Sequence, residues 1–381
     1  MYVAKQNMIY IHVPFCASRC IYCDFYSTTH TQGLKDRYIQ AACAEIMYRR
    51  DELDSRPLQS VYIGGGTPSQ LDTKQIEQLL QTVHDNFELS NDAEITIEAN
   101  PDDVTTDFVN NVKALGINRV SLGVQSFDDD ILRIINRRHS AKEACQAVDM
   151  IYKQGIDNIS IDLIYGLPSQ RVEQFAGDLD CAFQLPIKHL SSYALSIEEG
   201  TALDVKIKKG ELCPTDENLY IEAYNWLMIQ CDEHGFEHYE ISNFAKPGFY
   251  SRHNSGYWHG VPYLGIGPGA HSFDGKRTRR YNLPNLNAYV DAKNGNVLHK
   301  IEVLTDAEAF DELLFTSLRT RDGIDIDVIK NSFPEKWLSQ MLIDAQPHIS
   351  AGRLLLTNNK LTLTQEGIMT SNDVISDLMR A

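Results

Sequence analysis

Cys16, Cys20 and Cys23, spaced Cys-x-x-x-Cys-x-x-Cys on the loop that leaves the first apolar run, are a compact set of thiols. A [4Fe–4S] cluster is ordinarily held by four thiolates. Three with no fourth nearby leave one iron open to an exchangeable ligand, and S-adenosylmethionine suits that position. This points to catalysis or ligand binding. Zinc is the competing reading, but zinc takes four ligands. The close nitrogen donors are His12, within the strand, and His30, beyond a mixed segment.

Other residues can serve the same chemistry. Gly64-Gly65-Gly66-Thr67-Pro68 follows a second apolar run, and residues without side chains let backbone amides and carbonyls approach a ligand closely. A phosphate loop is excluded because its Gly-Lys-Ser/Thr ending is missing; a plain tight turn is the alternative. Glu98, Gln125 and Asp162 are polar residues at or within otherwise apolar runs. Singly, each reads as a solvated strand end. With the cysteine loop they would line one rim, able to hold an amino acid and a ribose, and Arg137 could add a carboxylate-binding fork.

The elements that must position these residues alternate at βαβ intervals from residue 8 to about 200. Strands are expected at 8–13, 60–63, 94–99, 119–124, 158–164 and 189–194. Helices are expected at 34–53, 73–87, 105–115, 141–154 and 172–183, several closed by Gly or Pro. Six units, not eight, predict a partial rather than a complete barrel, with active residues at the C-terminal strand ends. Residues 206–304 hold a helix at 216–233 and then aromatic, Gly- and Pro-rich sequence, read as an accessory layer over the barrel mouth. Residues 305–381 predict helices at 307–320 and 326–333 and strands at 354–357 and 361–364, the order of a winged-helix-like module.

The 381 residues suit two or three domains. No apolar run approaches the ~20 residues that span a bilayer, and no signal peptide is apparent, so a soluble chain is expected. The five other cysteines show no pairing pattern, which suits reduced thiols in the cytoplasm. A net charge of −17 opposes nucleic acid as a partner, because such affinity rests on Lys and Arg neutralising phosphates. Lys276, Arg277, Arg279 and Arg280 are the local exception, read as a solvated turn.

The cysteine spacing with Tyr22, the Gly-Gly-Gly-Thr-Pro run and the βα alternation resemble the radical S-adenosylmethionine (SAM) enzymes. Ile9-Tyr10-Ile11-His12-Val13-Pro14-Phe15-Cys16, Gly123-Val124-Gln125-Ser126-Phe127 and Asp162-Leu163-Ile164-Tyr165-Gly166-Leu167-Pro168 resemble the branch that holds oxygen-independent coproporphyrinogen III oxidases and HemW-type heme chaperones. The resemblance implies an α/β fold: a partial (β/α)6 barrel over 1–205, an α+β accessory region and the C-terminal module. It implies that Cys16, Cys20 and Cys23 bind the cluster and that Tyr10, Tyr22, Gly65, Gly66, Thr67, Glu98, Gln125, Arg137 and Asp162 contact SAM. In catalytic members one electron from the cluster cleaves the sulfonium, giving a 5′-deoxyadenosyl radical that abstracts hydrogen from substrate.

Within that branch two features favour the chaperones over the oxidases. The oxidase pattern carries a further cysteine two residues after the third, where this chain has Phe25, and only fifteen residues precede Cys16, so the oxidases' substrate-enclosing N-terminal segment is expected to be absent. Moreover, His253-Asn254-Ser255-Gly256-Tyr257-Trp258 resembles the chaperones' His-Asn-x-x-Tyr-Trp signature. An imidazole can ligate heme iron and aromatic faces can cover a porphyrin, making His253 the leading heme ligand, with His259 and His271 as rivals and Cys213-Pro214 a weaker one; a purely structural aromatic corner is the alternative. The expectation is a cytoplasmic, peripherally membrane-associated protein that passes heme to an acceptor such as a membrane-bound respiratory enzyme. Coproporphyrinogen III oxidation is the second reading.

Overall fold

The computed structural model describes residues 6–30 and 33–380. Its centre is a parallel sheet of β1 Asn7–Val13, β2 Leu58–Gly65, β3 Leu89–Ala99, β4 Arg119–Gln125, β5 Asn158–Tyr165 and β6 His189–Ala194, paired in sequence order. Helices Lys35–Arg49, Thr73–Asn86, Thr106–Ala114, Ala141–Lys153 and Val172–Gln184 lie among the connections. Their starts follow from capping chemistry: Asp72 with Gln75, and Ser140 with Glu143, close reciprocal capping boxes. In the second of these helices Ile76, Leu79, Leu80 and Val83, at helical spacing, form the buried stripe.

The strands obey a period of two. On β5, Ile159, Ile161 and Leu163 are fully buried in the main apolar core, while Asp162 between them lines a central cavity. The same alternation puts Arg119, Ser121, Gly123 and Gln125 of β4, and His189, Ser191 and Tyr193 of β6, on the cavity side. The barrel interior is thus polar, and the apolar core lies between sheet and helices.

The segment expected as a layer over the mouth instead extends the sheet at both edges. Beyond β6 lie β7 Glu237–Glu240 and β8 Asn243–Ala245; beyond β1 lie β9 Tyr263–Ile266, β10 His271–Phe273, β11 Thr278–Asn282 and β12 His299–Val303. The order is β12-β11-β10-β9-β1-β2-β3-β4-β5-β6-β8-β7, with β9 parallel to β1 and the other additions antiparallel. A buried ion pair fixes the first group: Glu45 and Arg49, both side chains fully buried, meet at 2.8 Å. Arg49 also donates to the Gly265 carbonyl and the Ser272 hydroxyl, and Glu45 accepts from Gly267 N, Asn282 and Tyr289. The basic run is likewise not a solvated turn, because Arg277, Arg279 and Arg280 pair with Asp306, Glu312 and Glu52.

The C-terminal region runs through helix Asp306–Leu318, β13 Ile324–Asp325, helices Ile326–Ser332 and Glu335–Ser350, and the hairpin of β14 Leu354–Thr357 and β15 Lys360–Leu363. Helix Glu335–Ser350 was not foreseen; it carries Pro347 in its final turn. This region has its own apolar core, including Phe310, Leu314, Met341 and Leu361. It meets the barrel at the β7–β8 turn, where Ile241 N donates to the Arg319 carbonyl and Arg321 N to that of Tyr239, both at 3.0 Å.

Candidate functional site

The cysteine loop is anchored at its root and tip. Cys16 N donates to the Thr28 carbonyl at 3.0 Å and Thr28 N to that of Pro14 at 2.7 Å; Ile21 N reaches the Ile135 carbonyl and Asn136 the Arg19 carbonyl. The last two bonds tie the loop to the segment that carries Arg137, whose guanidinium lies 3.3 Å from Cys20 Sγ and also donates to Asn100 Oδ1 and the Gly123 carbonyl. A positive charge thus stands beside the thiols. Burial pushes the Cys23 thiol up to about 11.

The glycine run has a steric reason. Gly66 N and Thr67 N donate to the Val13 and Phe15 carbonyls, both at 2.7 Å, bringing the run against the first cysteine. A Cβ on Gly66 would stand 2.7 Å from the Phe15 carbonyl oxygen and 3.0 Å from Cys16 Sγ. Gly65 has φ +112°, and a Cβ there would meet His12 Nδ1 at 2.6 Å. Thr67 Oγ1 lies 3.6 Å from Cys16 Sγ.

Glu98 accepts from Tyr62 OH at 2.7 Å and Gly65 N at 3.1 Å. Burial dominates its acidity nonetheless and raises its pKa to about 7; Asp162 is raised to about 6 for the same reason. Gln125 has a positive φ of 71°, a conformation uncommon outside glycine. Its turn is held by buried Asp178, which accepts from Ser126 Oγ at 2.8 Å, Phe127 N at 2.5 Å and Gln170 Nε2 at 3.4 Å. Gln170 in turn accepts from Leu167 N, so one carboxylate joins the loops after β4 and β5. Gly123 leaves room for both, since a Cβ would lie 2.8 Å from Gln125 Nε2 and 3.2 Å from Arg137.

His253, on helix Arg252–Trp258, is 2% exposed. Its Nδ1 bonds Ser60 Oγ at 2.8 Å and its Nε2 bonds Tyr257 OH at 2.9 Å. It stacks on Tyr62 with centroids 5.0 Å apart, and burial lowers its pKa to about 3. Both nitrogens are engaged by hydroxyls, so iron ligation requires the Tyr257 bond to be exchanged. Of the rivals, His259 pairs with Asp322, His271 stacks on Tyr281, and Cys213 is exposed; none lines the cavity.

Every residue singled out above for the cluster, for SAM or as leading heme ligand lines one cavity of about 630 Å3. The donor set fits a cluster and SAM: three thiols and Arg137 on the rim, with Glu98, Asp162 and Gln125 as polar contacts. It does not suit a four-ligand zinc site, because His12 spends its Nδ1 on Tyr10 OH and its Nε2 on the Tyr26 carbonyl, and His30 lies outside the cavity. Among the described residues no three His, Cys, Asp or Glu side chains converge closely enough for a single metal ion. The sequence reading missed Tyr62, Asn100, Arg119, Ser121, His189 and Ser191 as cavity residues. The pattern Arg119-x-Ser121-x-Gly123-x-Gln125 carried the signal, polar or small at every second position of a strand.

Comparison with known proteins gives the chain its relatives. The Radical SAM superfamily profile matches residues 10–182. A protein named "Heme chaperone HemW" from Mycobacterium tuberculosis is 35% identical, covering 97% of this chain and 94% of that protein. The chain belongs to the HemW family. A HemW relative from Bacillus subtilis is 33% identical over 96% of this chain and 97% of its own. The HemW-family chain also shares its fold with the coproporphyrinogen III oxidase HemN of Escherichia coli, at a TM-score of 0.85 and 24% identity over 98% of this chain and 90% of that one. This likeness shows the same α/β fold along nearly the whole chain. Among the described residues no helix is long and apolar enough to cross a membrane.

Proposed function

We propose that the protein is a heme chaperone that binds heme together with a SAM-liganded [4Fe–4S] cluster and passes the heme to an acceptor protein. The observation that carries this reading is the placement of the Arg252–Trp258 helix: its His253 and Tyr257 face the same cavity as the cysteine loop. Relatives covering nearly the whole chain bear the heme chaperone name.

Cys16, Cys20 and Cys23 are the cluster ligands in this reading. Arg137 offsets negative charge beside them, and Glu98, Gln125 and Asp162 accept or donate hydrogen bonds to the polar groups of SAM. When bound, the cluster supplies single-electron chemistry at the sulfonium. Tyr10, Tyr62 and Tyr257 give the porphyrin broad faces, and His253 is its iron ligand once Tyr257 yields. The C-terminal module, winged-helix-like in its order of elements, serves packing or partner contact. The acceptor is of the class of membrane-bound respiratory enzymes, met from the cytoplasmic side.

At the position of the oxidases' additional cysteine stands Phe25, 64% exposed. The deciding experiment is anaerobic reconstitution followed by heme titration at the Soret band, alongside a coproporphyrinogen assay with SAM and an electron donor. Stoichiometric heme binding, handed to an apo-acceptor without porphyrinogen turnover, is the expected result. Decarboxylation dependent on SAM and the donor would replace the chaperone reading with the oxidase.

A further inference from the structure

The two most deeply buried arginines of the chain are treated in opposite ways. Arg49, 1% exposed, is saturated by Glu45, Glu52, the Gly265 carbonyl and Ser272. Arg119, 2% exposed, opens β4 and faces the cavity. Its Nε is buried without a hydrogen-bond partner, and among the described residues no carboxylate lies within ion-pair distance of it. An unpaired buried charge is costly, so this guanidinium is poised for an anion, and its planar fork matches a carboxylate.

The surroundings narrow the class of anion. Arg119 is close enough to His253, His189, Glu98 and Asp162 to perturb each of them. On the same cavity Tyr10, Tyr62 and His253 form a set of neighbouring rings with centroids 5.0 to 6.2 Å apart. An aromatic wall beside a buried cation that makes no direct ion pair selects a flat apolar body that carries an acidic arm. Position separates this anion from the methionine carboxylate of SAM. Arg119 lies six residues before Gln125 along an extended strand, roughly 20 Å from the strand's C-terminal end, whereas the cysteine loop and Arg137 occupy the rim.

We propose that Arg119 is the anchor for one carboxylate arm of the tetrapyrrole, bound at the floor of the barrel. This rests on the heme-binding reading and adds to it the group by which the porphyrin periphery is recognised. The site discriminates free-acid porphyrins from their esters, and it acts through the propionate rather than through the iron.

The test is an anaerobic titration of the reconstituted full-length protein with iron mesoporphyrin and with its dimethyl ester, in mild detergent, following the Soret band. The proteins are wild type, Arg119→Gln and Arg119→Lys, with thermal unfolding and circular dichroism reporting the fold. Wild type is expected to bind the free acid about tenfold more tightly than the diester. Arg119→Gln should lose about that factor for the acid and none for the diester, and Arg119→Lys, which keeps the charge and guards against misfolding, should fall between. Equal acid affinity in wild type and both variants would overturn the anchor while leaving heme binding intact. Loss of SAM affinity with porphyrin affinity unchanged would also overturn it and identify the carboxylate as methionine's. Failure of wild type to bind either porphyrin would overturn the heme reading itself, and the anchor with it.

Discussion

Glu98 holds its proton more tightly in the folded chain than an unfolded glutamate does, and this ties stability to function. With a pKa raised from 4.5 to about 7, the destabilisation is absent below the unfolded value, grows as pH rises and is complete above about 7. Glu98→Gln is therefore expected to stabilise the apoprotein at pH 8 by on the order of 2–3 kcal/mol, read by denaturant unfolding, while weakening SAM binding read by calorimetry. In wild type, SAM affinity should tighten between pH 6 and 8 as Glu98 ionises and becomes a full acceptor for Tyr62, Gly65 and ligand donors. His253 behaves differently: with a pKa of about 3 it is neutral across this range, so heme affinity should lack the inflection near 6.5 of an exposed histidine. His253→Phe should lower heme affinity at least tenfold by Soret titration, leaving the cluster's absorbance unchanged. At this scale the sequence was readable where a residue type is scarce in its setting, as with the three cysteines or an acid in an apolar strand. It was harder to read for Arg119 and His189, each of which opens a strand and, taken singly, looks like an ordinary solvated end; for Arg119 only the alternation along β4 carried a signal.

Elements, rather than single side chains, hold Gln125 in its positive-φ turn. Asp178 belongs to helix Val172–Gln184, yet it secures the turns after β4 and β5. Asp178→Ala removes acceptors from Ser126 Oγ and Phe127 N, and SAM affinity should fall about tenfold with near-native secondary structure by circular dichroism, consistent with one to two kcal/mol of charge-assisted hydrogen bonding. Across the sheet, Glu45→Ala strands Arg49 without its buried partner and should destabilise the fold by roughly 3–5 kcal/mol in denaturant unfolding. β1 to β6 were legible because each is a continuous apolar or alternating run bounded by helix signals. β7 to β12 were not: they are three to five residues long, too short for a period to show, and Gly and Pro lie among them. Their pairing is decided by long-range partners such as the Glu45–Arg49 node, which no local pattern announces.

The molecule as a whole separates chemistry from a C-terminal region with its own core. The described cavity residues lie between Tyr10 and Tyr257, while the C-terminal core begins at Phe310. A chain ending at residue 304 is expected to keep cluster reconstitution and SAM binding. Its melting temperature should fall by at least roughly 5 °C, because the β7–β8 turn loses Arg319 and Arg321 and Trp258 loses the Arg319 guanidinium packed 5.8 Å from its ring. The sheet's linear order has a mechanical meaning as well. β12 and β7 end the sheet and do not pair with each other. A closed barrel is a hoop whose girth is fixed by its hydrogen-bond ladder. This sheet is a clasp: its two end strands stay unpaired with each other, so no closed ladder of hydrogen bonds fixes its girth.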